Sequence, residues 1–149
     1  MAEKHNEAKE YLLQVKRCDV YIDDLLEELV WLKAKATKIT SALSPEPGGG
    51  SGNQDKLGDA IAKIVDMQQE ANDAIDAFVN KKNEVRELLE QVQNAALLEI
   101  LLKVYFQYQT LEQVACEMNY SYKQTRRLHN KGLAVVERLL EEKDVPKCP

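Results

Sequence analysis

Seven side chains close to the C-terminal end of the sequence could act together: Tyr122, Lys123, Gln124, Arg126, Arg127, Asn130 and Lys131. Arginine and lysine bring fixed positive charge and N–H donors that suit phosphate oxygens and guanine O6 and N7. Tyrosine can meet a thymine methyl group or a phosphate. On a helix starting at Tyr122 all seven fall on the outer face of the first turns, while Thr125, Leu128, Leu133 and Val136 point inward. The chemistry on offer is therefore recognition of duplex DNA. The plainer alternative is a solvated basic helix face.

Other chemistry finds little support. The cysteines Cys18, Cys116 and Cys148 are scattered without a CxxC pair, and His5 and His129 lack ligand-type spacing, so neither a metal nor any other cofactor is expected. There is no glycine-rich phosphate loop, nucleophile elbow, HExxH or suitably spaced carboxylate pair, and the expectation is a protein that is not an enzyme. His129 has no carboxylate in its own turn and reads as a surface residue near the DNA backbone. Cys116 reads as a part-buried packing residue. Tyr105, Phe106 and Tyr120 are not interleaved with basic residues and read as core aromatics.

The elements that must position the seven residues can be read from periodicity. Thr110 followed by Gln113 suits a capping box for a short helix Leu111–Met118, which would bury Leu111, Val114, Ala115 and Met118. Asn119 suits a left-handed turn and Ser121 the cap of the next helix, running from Tyr122 to about Glu141. Ahead of these, Leu97, Leu98, Ile100, Leu101, Leu102, Val104, Tyr105 and Phe106 make a helix apolar on most sides, which belongs in a compact core.

Further upstream the pattern changes. Ala8, Tyr11, Val15, Cys18, Ile22, Leu25, Leu29, Leu32, Ala36, Ile39 and Leu43 recur in steps of three and four, a heptad seam. A second seam is expected at Leu57, Ile61, Ile64, Gln68, Ala71, Ile75, Phe78, Lys82, Val85, Leu89 and Val92, with Gln68 and Lys82 as tolerated polar positions. Between them, the Pro- and Gly-rich stretch from Ser44 to Asn53 cannot continue a helix. The expected fold is all-α: residues 1–93 form a long antiparallel helical hairpin (coiled coil) with a flexible loop over 44–56, and residues 94–149 form a helix-turn-helix domain. A two-helix rod has too little interior for an enzyme pocket. Leu12, Leu26, Val30 and Trp31 lie off the seam and call for lateral packing, against a second hairpin or against the C-terminal helices.

Charge divides along the same line. The chain carries a formal charge of −5, yet from Ser121 to Arg138 five cations face one acid, Glu137, giving +4 and leaving −9 elsewhere. A local basic face can attract phosphate while an acidic body discourages random DNA association. With an odd number of cysteines, no apolar leader and no apolar run near the roughly 20 residues of a membrane span, the expected setting is the cytoplasm, away from membranes.

The stretch from Thr110 to Leu133 resembles region 4 of bacterial sigma factors, matching at Val114-Ala115, Tyr120-Ser121, Leu128 and Leu133. The order of helical hairpin, Pro/Gly loop and terminal helix-turn-helix is similar, over nearly the whole chain, to the sigma-like, autolysin-regulator-type late-transcription regulators encoded by phages of Gram-positive bacteria. Leu111 stands where such proteins often carry Trp, Asn119 replaces the turn Gly, and Gly132 replaces a helix Ala, weakening that helix by roughly 1 kcal/mol. The resemblance implies base-edge contacts from Tyr122, Lys123 and Arg127 and phosphate contacts from Gln124 and Arg126. It also implies double-stranded DNA as partner, possible contact with RNA polymerase, a homo-oligomer (a dimer), and action in the bacterial host's cytoplasm. Two other classes fit the same helices: a DNA-packaging protein like a terminase small subunit, and a structural helical bundle that does not bind DNA.

Overall fold

The computed structural model describes residues 5–42 and 51–144. Among them are five helices and no strand: α1 (Asn6–Ala42), α2 (Ser51–Leu89), α3 (Ala95–Tyr105), α4 (Leu111–Met118) and α5 (Tyr122–Asp144). The fold is all-α with a long N-terminal helical hairpin. Leu43, the residues from Ser44 to Gly50 and Cys148 lie outside the described residues. The loop expected over 44–56 is shorter at its C-terminal side, because α2 already begins at Ser51.

The chain forms two compact units. One is Cys18–Phe78, and the other joins Met1–Arg17 to Val79–Pro149. The division falls across both long helices and not at residue 93.

In the Cys18–Phe78 unit, Leu25 and Leu29 of α1 bury against Ala71 of α2, flanked by Ile64, Met67 and Ala74. Tyr21 Oη donates to Glu70 Oε1 at 3.0 Å across the pair. The α1 seam runs as its heptads imply. The α2 seam is rotated: its buried and half-buried positions are Leu57, Ala60, Ile64, Met67, Ala71, Ala74 and Phe78, while Ile61, Gln68 and Ile75 are exposed. The rotation puts the apolar, adaptable Met67 inside in place of an amide that would need a partner, and alanines at three seam positions let the helices approach closely. Gln68 is thus a solvated residue.

The other unit takes its core from every helix: Leu12 and Val15 of α1, Val85 and Leu89 of α2, Ile100 and Leu101 of α3, Val114 of α4, and Leu133 and Val136 of α5. Leu12, off the heptad seam, is fully buried here. The helix ends are tied to this core by polar contacts as well. His5 Nδ1 meets Glu137 Oε2 at 2.5 Å, Lys143 lies 3.5 Å from Glu84, and Lys82 and Arg86 stand over the Phe106 ring. The physical reason is the breadth of the apolar surface on α3. Leu97, Ile100, Leu101 and Tyr105 are buried and Leu98, Leu102 and Val104 half-buried, more than two further helices could cover.

Candidate nucleic-acid interface

Local hydrogen bonding sets the three C-terminal helices in place. Asn94 Oδ1 accepts from the amides of Ala96 and Leu97 and starts α3. At α4, Thr110 Oγ1 accepts from Gln113 N at 3.2 Å while Gln113 Oε1 accepts from Thr110 N at 2.9 Å, the reciprocal capping box expected from these residue types. Asn119 ends α4 in the left-handed conformation, with φ 58° and ψ 37°. Its short polar side chain tolerates that region better than most. Ser121 Oγ then accepts from Gln124 N at 3.0 Å and opens α5.

The close approach of α5 to α3 depends on Gly132. A Cβ at this position would stand 3.2–3.3 Å from three carbons of Leu101, so the glycine that weakens the helix intrinsically is what lets the two helices meet. Thr125, His129, Gly132, Leu133, Val136 and Leu140 form the buried side of α5.

The opposite side carries the candidate site. Tyr122, Lys123, Gln124, Arg126, Arg127, Asn130 and Lys131 are all exposed, so the structure places every one of the seven on the outer face of the first turns of α5. Several cations elsewhere in this unit are matched with acids. Lys81 lies 3.0 Å from Glu84 and Arg17 2.7 Å from Glu10. Lys103 donates to Glu117 at 2.6 Å, a contact that raises the lysine's pKa and lowers the carboxyl's. Among the described residues, Lys123, Arg126, Arg127 and Lys131 make no ion pair, and α5 has no acid in its first turn.

Two residues stand elsewhere than their types suggest. His129 is buried: its ring stacks on Tyr105 at 5.7 Å between centroids, with Nε2 hydrogen-bonded to Tyr105 Oη at 2.8 Å. Burial, aided by the charge of Lys9, pushes its pKa down to about 4, so it is neutral at neutral pH and supplies no charge to the basic face. Burial likewise pushes the Tyr105 hydroxyl above its ordinary range. The signal was available in the spacing, since His129 falls one turn after Thr125 and one turn before Leu133. Cys116 is exposed, because Val114 and Ala115 occupy the inward arc of the short α4 and the next residue turns to solvent.

No helix among the described residues is long and apolar enough to cross a membrane. No protein-family model, curated protein or solved structure matches the chain.

Proposed function

We propose that the chain is a sequence-specific, sigma-like transcription regulator that reads promoter DNA through the first turns of α5. One observation carries this reading: Lys123, Arg126 and Arg127 gather on the exposed side of the first two turns of α5 without acidic partners among the described residues, with Lys123 at the positive end of the helix dipole. For the isolated fold this arrangement is unfavourable, because Lys123 faces Arg126 and Arg127 as like charges at i,i+3 and i,i+4 spacing. A polyanion reverses the sign, since each cation that meets a phosphate releases condensed counterions. The helix-turn-helix supports insertion of α5 into a major groove, with Tyr122, Lys123 and Arg127 at base edges and Gln124 and Arg126 on phosphates. Asn130 and Lys131 continue the contact one turn on.

Phage or prophage origin, action in a bacterial cytoplasm, contact with RNA polymerase and dimerisation belong to the same proposal. Dimerisation draws support from the Cys18–Phe78 unit. Leu26 and Val30 on α1, and Ile61 and Val65 on α2, are all exposed and stand about a quarter turn from their seams in the same sense. Antiparallel pairing brings both flanks to one side, an apolar face of the kind a second copy covers.

Selection of duplexes from a random pool by the full-length protein tests the function. A recurring motif whose binding weakens steeply with salt supports it. A pool that stays unenriched overturns it.

A further inference from the structure

We infer that the Cys18–Phe78 units of two copies pair face to face with their helices running in opposite directions, α1 on α1 and α2 on α2, about a two-fold axis at the level of Glu28 and Gln68. The arrangement rests on the dimer of the proposed function and adds to it the direction, the register and the residues that fix them.

Beside its buried seam, α1 carries a second stripe, Asp23, Leu26, Val30 and Lys33, spaced in steps of three and four and exposed throughout. Val30, 70% exposed, is more open than any other large apolar side chain among the described residues. The order of these four residues is complementary to itself when reversed. Leu26 and Val30 stand two residues either side of Glu28, and Asp23 and Lys33 five residues either side. Laid antiparallel on a second copy about that level, Leu26 meets Val30 twice and Asp23 meets Lys33 twice, the reciprocity that a two-fold contact demands. Among the described residues, neither Asp23 nor Lys33 has an ion pair within its own chain. Trp31 is exposed as well, but it lies on another side of α1 with Lys35 4.4 Å over its ring, outside this face.

The adjoining stripe of α2 has the same property. Ile61 and Ile75, both exposed, stand seven residues either side of Gln68. On the axis the exposed Gln68 amide faces its own copy, where it both donates and accepts. No charged residue interrupts the stripe from Ile61 through Val65, Gln68 and Asn72 to Ile75. The two centres coincide in space: Leu25 and Leu29 pack on Ala71 with Met67 beside them, which puts Glu28 and Gln68 at about the same height along the helix pair. One axis therefore serves both helices. Running the two copies in the same direction instead sets α1 on the α2 of the second copy. Lys33 then lands beside Ile61 and Val65, and Asp23 beside Asn72 and Ile75, where the stripe holds no opposite charge and desolvation is uncompensated.

The test is sedimentation equilibrium of the full chain at low salt, comparing the parent with Asp23→Lys, with Lys33→Asp and with the two combined, each checked for an unchanged thermal melt. Each single change turns two attractive pairs into two repulsive ones and should raise the dimer Kd about tenfold. The combination should return Kd to the parent's value, because the exchanged charges still meet. Oxidative cross-linking reads the register directly. Gln68→Cys should link to its own copy above the background of the parent's cysteines. Ile61→Cys should not, since its copy lies fourteen residues, about 21 Å, away along the pair. Single variants that dimerise as tightly as the parent, a combined variant weaker than either, or linking through Ile61→Cys in place of Gln68→Cys would each overturn this arrangement while leaving the dimer in place. A parent that sediments as a monomer at micromolar concentration removes the dimer and the arrangement together, and leaves the DNA-binding reading to the duplex selection.

Discussion

Acid should destabilise this fold through His129 before its carboxylates protonate. In the folded chain the ring titrates near pH 4, against 6.5 for an ordinary histidine. Above pH 6.5 the ring is neutral in both states and the proton makes no difference. As pH falls from 6.5 toward 4 the unfolded chain takes up a proton that the folded chain refuses, and stability is lost over that window. Linkage puts the loss at about 2 kcal/mol by pH 5 and about 3 kcal/mol below pH 4. That is a large share of the stability expected of a chain this size. The assay is urea unfolding at a series of pH values in the parent and in His129→Gln, which keeps a polar partner for Tyr105 Oη but cannot titrate. The variant begins less stable because it loses the stacked ring. All other titrating groups contribute alike to both proteins, so the difference between them isolates His129. It should shrink by about 2 kcal/mol between pH 7.5 and pH 5. Parallel curves would refute the reasoning, and with it the buried, neutral state of the ring.

Gly132→Ala should destabilise the fold although alanine is the better helix former. The propensity gain of about 1 kcal/mol is opposed by overpacking of about 1–3 kcal/mol against the fully buried Leu101, whose side chain must shift to admit the new Cβ. Chemical unfolding decides, and Gly132→Ala placed in a Leu101→Val background should become neutral or stabilising. Arg126→Ala should weaken binding to all duplexes alike, whereas Arg127→Ala should relax preference at one base pair, costing about 1–3 kcal/mol at the selected site. Competition binding with single-base variants of that site separates the two, and identical profiles would count against the roles assigned. Val30→Glu combined with Ile61→Glu should yield folded monomers. Sedimentation of the parent as a monomer at micromolar concentration would remove the dimer from the proposal.

Much of this protein is decided locally, and those parts were legible in the residues. The Thr110–Gln113 capping box, the left-handed Asn119 and the Ser121 cap are short-range hydrogen-bonding solutions, formed between groups a few positions apart. The outer face of α5 follows from helical geometry once Tyr122 is its first residue. The α1 seam follows as well, because only one arc of that helix is continuously apolar.

Where two arcs compete, periodicity cannot choose. Along α2 the line through Ile61 and Ile75 is more apolar, yet the line through Met67 and Ala74 is the one that packs against α1. Close approach of alanines and exclusion of the Gln68 amide depend on what stands opposite. Distance along the chain hid the rest. The off-seam place of Leu12 left two coverings open, a second hairpin or the C-terminal helices, and nothing near Gly132 in the sequence announces that the ends of α1 and α2 share a core with α3, α4 and α5 or that Leu101 fills the notch left by Gly132. His129 shows the same limit. Its residue type suits water and its position suits the core, and only the Tyr105 ring, which supplies both a stacking face and a hydrogen-bond partner, makes burial the lower-energy choice.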